Sequence, residues 1–255
     1  MLVSWKDWER YIERLRRVND EAADLIRDYI ANNGLPIDKA ATEKMIDFAY
    51  WVSEKYGEAA ATVAAEMYDA VAVASKAKVL PAAPAPAPEF GEIAKTVVGT
   101  LKTGNTEIIS NAIGRLVKRT GVDTTMQNAL RDGAQWAWIP HGDTCAFCIT
   151  LASRGWQRAS KKAIKNGHAE HIHANCDCTY AIRFDSDTDI QGYEPDLYLQ
   201  MYYSASPGGT PTDKINAMRR EFYAENKEKI NEQKRSAYAK RKERESSKAE
   251  EINVT

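Results

Sequence analysis

Cysteine is confined to one short segment of this 255-residue chain. All four cysteines lie between positions 145 and 178, first as Cys145-x-x-Cys148 and then as His173-x-x-Cys176-x-Cys178. Thiols that only fill a core are usually spread along a chain, so this clustering predicts a binding site. Two cysteine-containing turns separated by a loop are a common way to gather four nitrogen and sulfur ligands around zinc. The sequence therefore predicts one bound zinc ion.

The segment offers more candidate ligands than the four that tetrahedral zinc needs: His141, Cys145, Cys148, His171, His173, Cys176 and Cys178. We expect the ligands to be Cys145, Cys148, His173 and Cys178, with Cys176 as the close substitute for Cys178. The first pair supplies two sulfurs from one turn, and the position of His173 lets its ring reach back to the same point. Four protein ligands leave no position for a reactive water, so the predicted role of the zinc is structural.

Two other uses of the cysteines stay open on these residues alone. An even number of cysteines permits two disulfides, and Cys145-Ala-Phe-Cys148 has the spacing of a redox-active pair. The first eight residues show no positively charged lead followed by an apolar run and a cleavage site, so we expect no export to an oxidising compartment. No strand–helix–strand pattern surrounds the first pair, which disfavours a thioredoxin-like site. Metal binding is the preferred interpretation.

Composition and periodicity predict a fold that is mainly α with a small β component. The chain is 44% hydrophobic and 28% charged, as is typical of a soluble globular protein. Its longest apolar run, residues 70–74, is far shorter than the roughly 20 residues of a membrane span, so we expect no membrane contact. Apolar residues spaced by three and four from Ser4 to Asn32, and again from Asp38 onward, predict an N-terminal helical hairpin.

A segment rich in proline and alanine, residues 81–88, follows the hairpin. Because several of its residues lack an amide hydrogen, we expect it to be an extended and exposed spacer. It divides the chain into predicted parts: a helical hairpin (1–80), a Pro/Ala linker (81–88), an α+β zinc-binding core (89–184), and a tail with an acidic loop and a charged helix (185–255).

The pattern of residues 89–184 predicts helices followed by short elements around the cysteines. Helical periodicity extends to about Asp132, and we expect three glycines to break it into pieces: Gly99, Gly104 and Gly121. The elements expected after it are a strand or helix end over Ala134–Ile139, a short helix over Ile149–Gly155, and a half-buried strand over Thr179–Phe184.

The remaining residues are polar and carry an uneven charge. Asp185–Asp196 resembles a calcium-binding loop poorly, because Ile190 stands where that loop needs glycine, and we expect a solvated acidic loop. A final helix is predicted from Thr212 past Arg244. Six basic side chains are concentrated near its end: Lys234, Arg235, Lys240, Arg241, Lys242 and Arg244. This stretch suits contact with DNA or an acidic protein surface, and a solvated helix that contacts nothing is the alternative.

The order of motifs in this region resembles a known family. His141-Gly-Asp-Thr-Cys145-Ala-Phe-Cys148, then His173-Ala-Asn-Cys176-Asp-Cys178 and a strand, is similar to the core of the phage Mu F-like minor head proteins. The resemblance covers roughly residues 90–185, and parts of the tail resemble phage minor capsid proteins. Ala174 stands where the family often has proline, and Asp177 where it often has a basic residue.

The resemblance implies a structural role in a virion and not an enzymatic one. Mu F-like proteins are minor components of the phage head, made with the portal and scaffold in the host cytoplasm during assembly. It therefore implies a portal, scaffold or major capsid protein as partner and location in the virion head, where the charge of the basic tail suits contact with packaged DNA. It implies no small-molecule substrate.

The competing class is a zinc-dependent nucleic-acid-binding module or nuclease. His168, His171 and His173 beside a cysteine pair superficially resemble a His-Asn-His nuclease, in which a histidine activates water. That motif needs a second Cys-x-x-Cys, and Cys176-x-Cys178 has different spacing. No nucleophile, base and acid set of the kind that enzymes use is visible elsewhere, so we expect no catalytic residues.

Overall fold

The fold is described from a computed structural model, which covers residues 2–141, 144–160 and 177–225 together with residues 227, 228, 231, 232 and 235. The structure confirms that the chain is mainly α-helical. The helices are α1 (Trp5–Asn33), α2 (Lys39–Ala74), α3 (Phe90–Leu101), α4 (Thr106–Asp132), α5 (Ala146–Ala152), α6 (Pro195–Ser204) and α7 (Pro211–Glu225). The strands are β1 (Leu2–Val3), β2 (Gln135–Ile139), β3 (Gln157–Arg158), β4 (Thr179–Arg183) and β5 (Asp189–Ile190).

Helices α1 and α2 form the predicted hairpin, and their ends follow from local chemistry. The hydroxyl of Ser4 accepts a hydrogen bond of 3.1 Å from the amide of Asp7, which satisfies one of the unpaired amides at the start of α1. Gly34 ends α1 at φ 75°, a conformation that glycine adopts without strain. The carboxylate of Asp38 then caps α2 by accepting from the amide of Ala41 at 2.7 Å. Ser4 and Asp38 therefore fix where the two helices begin.

Helix α4 packs against both helices of the hairpin, and glycines allow the close approach. A Cβ atom on Gly121 would lie 3.2 Å from the carbonyl oxygen of Ala60, on α2. On the other side of the crossing, a Cβ on Gly57 would lie 3.3 Å from the hydroxyl of Thr120, on α4. The predicted break at Gly121 is wrong, because this glycine is used for helix packing and α4 continues through it. The predicted break at Gly99 is also wrong, because α3 continues through it to Leu101. The predicted break at Gly104 is confirmed: this glycine lies between α3 and α4, at φ 62°.

The Pro/Ala segment is extended, as its composition predicts, but it is docked on the helices. The amides of Ala83 and Ala85 donate to the side chains of Asn128 and Thr124 on α4, both at 2.9 Å. The amide of Ala82 donates to Asp69 of α2 at 2.8 Å. Ala85 is only 5% exposed. Pro81, Ala83, Pro84 and Pro86 are exposed, as expected. The segment is nevertheless not a free spacer, because side chains of α2 and α4 hold its backbone.

One hydrophobic cluster runs through the hairpin, α3, α4 and the strands around the cysteines. Its largest fully buried side chains include Trp8 on α1, Tyr68 on α2 and Trp138 on β2. The hairpin and the predicted core therefore share buried surface on both sides of the Pro/Ala segment. The domain boundaries placed there stay a prediction.

A small antiparallel sheet lies at the cysteine-rich end, with strand order β3-β2-β4. Strands β2 and β4 pair from Gln135↔Arg183 to Ile139↔Thr179. The strand expected to be half-buried, β4, is almost entirely buried: every residue from Thr179 to Ile182 is buried, whichever face of the sheet it points to. The reason is that helices α2 and α4 contact β4 while α5 contacts β2. Polar Thr179 is as enclosed as its apolar neighbours.

Short contacts join the start of α1 to the segment that follows β4. Strand β1 pairs in parallel with β5, and the amide of Trp5 donates to Gln191 at 3.3 Å. Asp185 accepts from the amides of Asp187 and Thr188, so the expected acidic loop is organised by its own turn. Helices α6 and α7 then pack on α5.

Candidate metal centre

The pairing of β2 with β4 places one cysteine beside the end of β2. Because Ile139 faces Thr179, the next residue toward the end of the sheet is Cys178. The amide of His141 donates to Sγ of Cys178 at 3.3 Å, and this thiol donates in turn to the carbonyl of His141 at 3.7 Å. Cys178 is fully buried. The sheet register thus fixes the position of one predicted ligand.

The other two described cysteines lie four and seven residues after His141, at the start of α5. Cys145 is the residue that precedes the helix, with extended backbone at φ −77° and ψ 162°, and Cys148 is the third residue of the helix. Cys145 is half-buried, whereas Cys148 is only 1% exposed. The first pair is therefore held by a short helix and not by an open turn.

Aromatic side chains surround this end of the sheet. Tyr180 contacts both Trp136 and Trp138 edge to face, with ring centroids 4.6 and 4.7 Å apart. Burial raises the pKa of Tyr180, and the proximity of Cys148 adds to the rise. Burial likewise raises the pKa of Tyr198, and Cys178 adds to it. Cys148 and Cys178 thus lie in a region with little solvent.

The imidazole of His141 lies against the first residue of α1. Its ring stacks on Trp5, with centroids 6.0 Å apart and an interplanar angle of 23°. Its Nδ1 atom is buried and accepts or donates no hydrogen bond within the described part of the chain. The sequence named His141 as a candidate ligand but gave no sign of the contact with Trp5, because the two residues are far apart along the chain.

Asp177, where Mu F-like proteins often carry a basic residue, lies within electrostatic reach of α1. Burial raises the pKa of Asp20, the neighbouring Arg16 opposes that rise, and the negative charge of Asp177 adds to it. The hydrogen bond and charge of Glu13 raise the pKa of Arg16, and Asp177 adds a smaller rise. Asp177 therefore lies close enough to α1 to interact electrostatically with Arg16 and Asp20.

Comparison with models of known protein families gives a match for this chain. A family model described as VG15 protein matches residues 3–205, which is more than half of the sequence. The chain belongs to the VG15 family. VG15 is a family of viral proteins, and membership indicates a phage protein. No curated protein and no solved structure is significantly similar to this chain.

The donor chemistry of the VG15 chain suits zinc, although the described residues alone do not complete a site. Cys145, Cys148 and Cys178 offer soft sulfur ligands at the same end of β2, β4 and α5. Among the residues that the structure describes, no three His, Cys, Asp or Glu side chains are grouped closely enough to hold a metal ion. His171, His173 and Cys176 lie outside the described residues. The zinc ligand set therefore stays a prediction.

The basic stretch of the VG15 chain is described at one position. Arg235 is exposed. The other five residues of the predicted contact surface lie outside the described residues: Lys234, Lys240, Arg241, Lys242 and Arg244. The described part of the chain contains no helix with the length and apolarity needed to cross a bilayer.

Proposed function

We propose that this VG15 protein is a minor structural protein of a tailed-phage head, which assists head assembly and associates with the portal or the inside of the capsid. The observation that carries the proposal is the match of residues 3–205 to a phage protein family, in a chain that also has the Mu F-like cysteine order. The partners are a portal, scaffold or major capsid protein.

Interrupting the gene in the phage that encodes it tests this role. Infection with an early stop codon should yield fewer filled heads, and supplying the protein in trans should restore them. Electron microscopy of lysates measures the fraction of heads that contain DNA. An unchanged number and morphology of heads, with normal infectivity, would contradict an assembly role.

The proposed role of zinc is to stabilise the cysteine-rich end of the fold. Cys145, Cys148, His173 and Cys178 supply the four ligands, with Cys176 as the substitute for Cys178. The clustering of all four cysteines between positions 145 and 178 supports the proposal, and an ion bound there would join the start of α5 to the start of β4. With four protein ligands, zinc has no open position for catalysis.

Metal content and melting test the zinc site. Protein purified without chelator should contain one zinc per chain, and chelation should lower Tm by about 10 °C, as expected for a loss of roughly 3 kcal/mol in a chain of this size. Cys178→Ser should remove the zinc, and Cys176→Ser should retain it. Metal-free protein with two disulfides, or a Tm that ignores chelator, would exclude the site.

The basic stretch is proposed to contact packaged DNA. Each phosphate contact releases a counterion, so a protein that uses these side chains should bind DNA less tightly as salt rises. Deleting residues 234–255 should weaken binding and flatten its salt dependence, measured by fluorescence anisotropy. Binding that is absent, or unaffected by the deletion, would assign the stretch to protein contact or to no contact.

A further inference from the structure

The two cysteines at the start of α5 differ in exposure although only two residues separate them. Cys145, which precedes the helix, is half-buried, and Cys148, inside its first turn, is 1% exposed. The helical turn that joins them is closed by a 3.0 Å hydrogen bond from the amide of Ile149 to the carbonyl of Cys145. Cys145 is therefore the more accessible of the two residues.

Their backbone positions suit a disulfide. The residue before a helix and the third residue of that helix lie next to each other, which is why side chains at these positions commonly reach one another's backbone. A disulfide needs Cα atoms about 4.4–6.8 Å apart, and residues three apart across a helical turn meet this requirement. Cys178 lies directly before β4, outside this helical turn, and its thiol contacts the backbone of His141.

We propose that Cys145 and Cys148 form a reversible dithiol–disulfide pair that reacts with small-molecule disulfides. The sulfur of Cys145 attacks one sulfur of the reagent, a mixed disulfide forms, and one molecule of thiol leaves. The sulfur of Cys148 then attacks the sulfur of Cys145, and a second molecule of thiol leaves. The pair loses two electrons and two protons, and the small-molecule disulfide gains both.

This inference rests on the proposed function in one respect, because the same two sulfurs are proposed zinc ligands. A disulfide sulfur has no thiolate to offer the metal, so oxidation and zinc binding exclude each other. Thiols stay reduced in a cytoplasm and oxidise outside it. A phage protein made inside a host would hold zinc there, and after release of the particle the pair would close.

Alkylation and peptide mass spectrometry of the full-length protein test the pair. Reduced protein, stripped of zinc by chelator, is incubated with oxidised glutathione, and the four cysteines are then mapped. We expect the loss of two alkylatable thiols, Cys145 and Cys148, joined to each other and carrying no glutathione. A disulfide that mainly involves Cys176 or Cys178, or a Cys145 that stays alkylatable, would overturn the proposal.

Single variants separate the two steps. Cys148→Ser should stop the reaction at the mixed disulfide, leaving one glutathione on Cys145, whereas Cys145→Ser should leave Cys148 alkylatable. Glutathione on Cys148 in the Cys145→Ser protein would contradict the assigned order of attack. Zinc measured by elemental analysis before chelation is a separate readout. A protein that never binds zinc but forms this disulfide would refute the zinc site and retain the pair.

Discussion

Gly121 shows how a single missing side chain shapes the packing of α2 and α4. Its position in the middle of α4 is unfavourable for helix formation by about 0.5–1 kcal/mol relative to alanine. The crossing makes use of the missing Cβ, since that atom would lie 3.2 Å from the carbonyl oxygen of Ala60. Gly99 in α3 has no atom within 4 Å of the same position. Gly99 can therefore serve as the control for a substitution at Gly121, since both glycines lie within helices and only Gly121 is crowded.

We therefore expect Gly121→Val to lower the free energy of unfolding by about 1–3 kcal/mol, the usual effect of overpacking. Gly99→Val should change it by less than about 0.5 kcal/mol, because the added atoms meet open space. Urea unfolding of both proteins provides the measurement. Equal effects of the two substitutions would contradict the close crossing.

Two aspartates on α4 have pKa values shifted in opposite directions. Burial raises the pKa of Asp123 from its usual 3.8 to about 6, although Arg119 opposes the rise at 3.6 Å. Hydrogen bonds from Arg131, and secondarily from Tyr68, lower the pKa of Asp132. Because the pKa of Asp123 is raised in the folded state, this carboxyl destabilises the fold progressively as the pH rises from about 4 to 6. Because the pKa of Asp132 is lowered, this carboxylate stabilises the fold at neutral pH, and the stabilisation is lost when acid protonates it.

Asp123→Asn should consequently raise the free energy of unfolding at pH 7 by about 1 kcal/mol, less than the full shift implies because the side chain is 32% exposed. The difference from the unmodified protein should disappear near pH 4. Asp132→Asn serves as the control and should lower stability at pH 7 by about 1–3 kcal/mol. Unfolding curves at several pH values measure both. A stabilising effect of Asp123→Asn that persists at pH 4 would refute the titration of this group.

At the scale of elements, the Pro/Ala segment is part of the helical packing. Its backbone groups are satisfied by side chains of α4, and Asn128 makes two such bonds to Ala83, accepting from its amide at 2.9 Å and donating to its carbonyl at 2.8 Å. Arg131 donates to the carbonyls of Leu80 and Pro81. Cleavage within residues 81–88 should therefore be slow, and the two pieces should stay associated.

Replacing Asn128 tests this docking. Asn128→Ala leaves backbone groups of Ala83 without their side-chain partner, so we expect a loss of about 1–3 kcal/mol and faster cleavage of the segment. Gln127→Ala, at the exposed neighbouring position, should change neither. Limited proteolysis followed by size-exclusion chromatography distinguishes the outcomes. Release of residues 1–80 as an independent fragment would instead support the domain boundary that the sequence predicts.

The sequence predicted those elements whose signals are local. Ser4, Gly34 and Asp38 mark the ends of α1 and α2, and the structure confirms the hairpin that they predict. Gly121 was misread because local propensity alone cannot show that another helix approaches within contact distance. The docking of the Pro/Ala segment depends on Asn128, which lies on a helix more than forty residues later. Such long-range contacts have no periodic signal.

At the candidate site, too, the sequence predicts the local elements but not the long-range contacts. The strand that begins after Cys178 follows from pattern and lies where it is expected. The short helix expected over Ile149–Gly155 begins three residues earlier, at Ala146, and so includes Cys148. The stacking of Trp5 on His141, by contrast, joins the start of α1 to the end of β2. A contact between such distant residues depends on how the hairpin packs on the sheet, which no short motif encodes.

For the whole molecule, the matched family region includes the described elements from β1 to α6. The VG15 match begins in β1 and ends one residue after α6, and β1 pairs with β5 inside that range. The same range includes the shared hydrophobic cluster and the three described cysteines. Helix α7 and the basic stretch lie outside it. We infer that the region to residue 205 carries the function common to the family.

The location of the protein tests the central claim most directly. Purified particles of the encoding phage, separated into heads and tails, can be examined by quantitative mass spectrometry with the portal protein as the internal standard. Peptides from residues 3–205 should be present in the head fraction in a constant ratio to the portal protein. Their absence from purified particles, or their presence only in the tail fraction, would contradict the proposed role as a minor head protein.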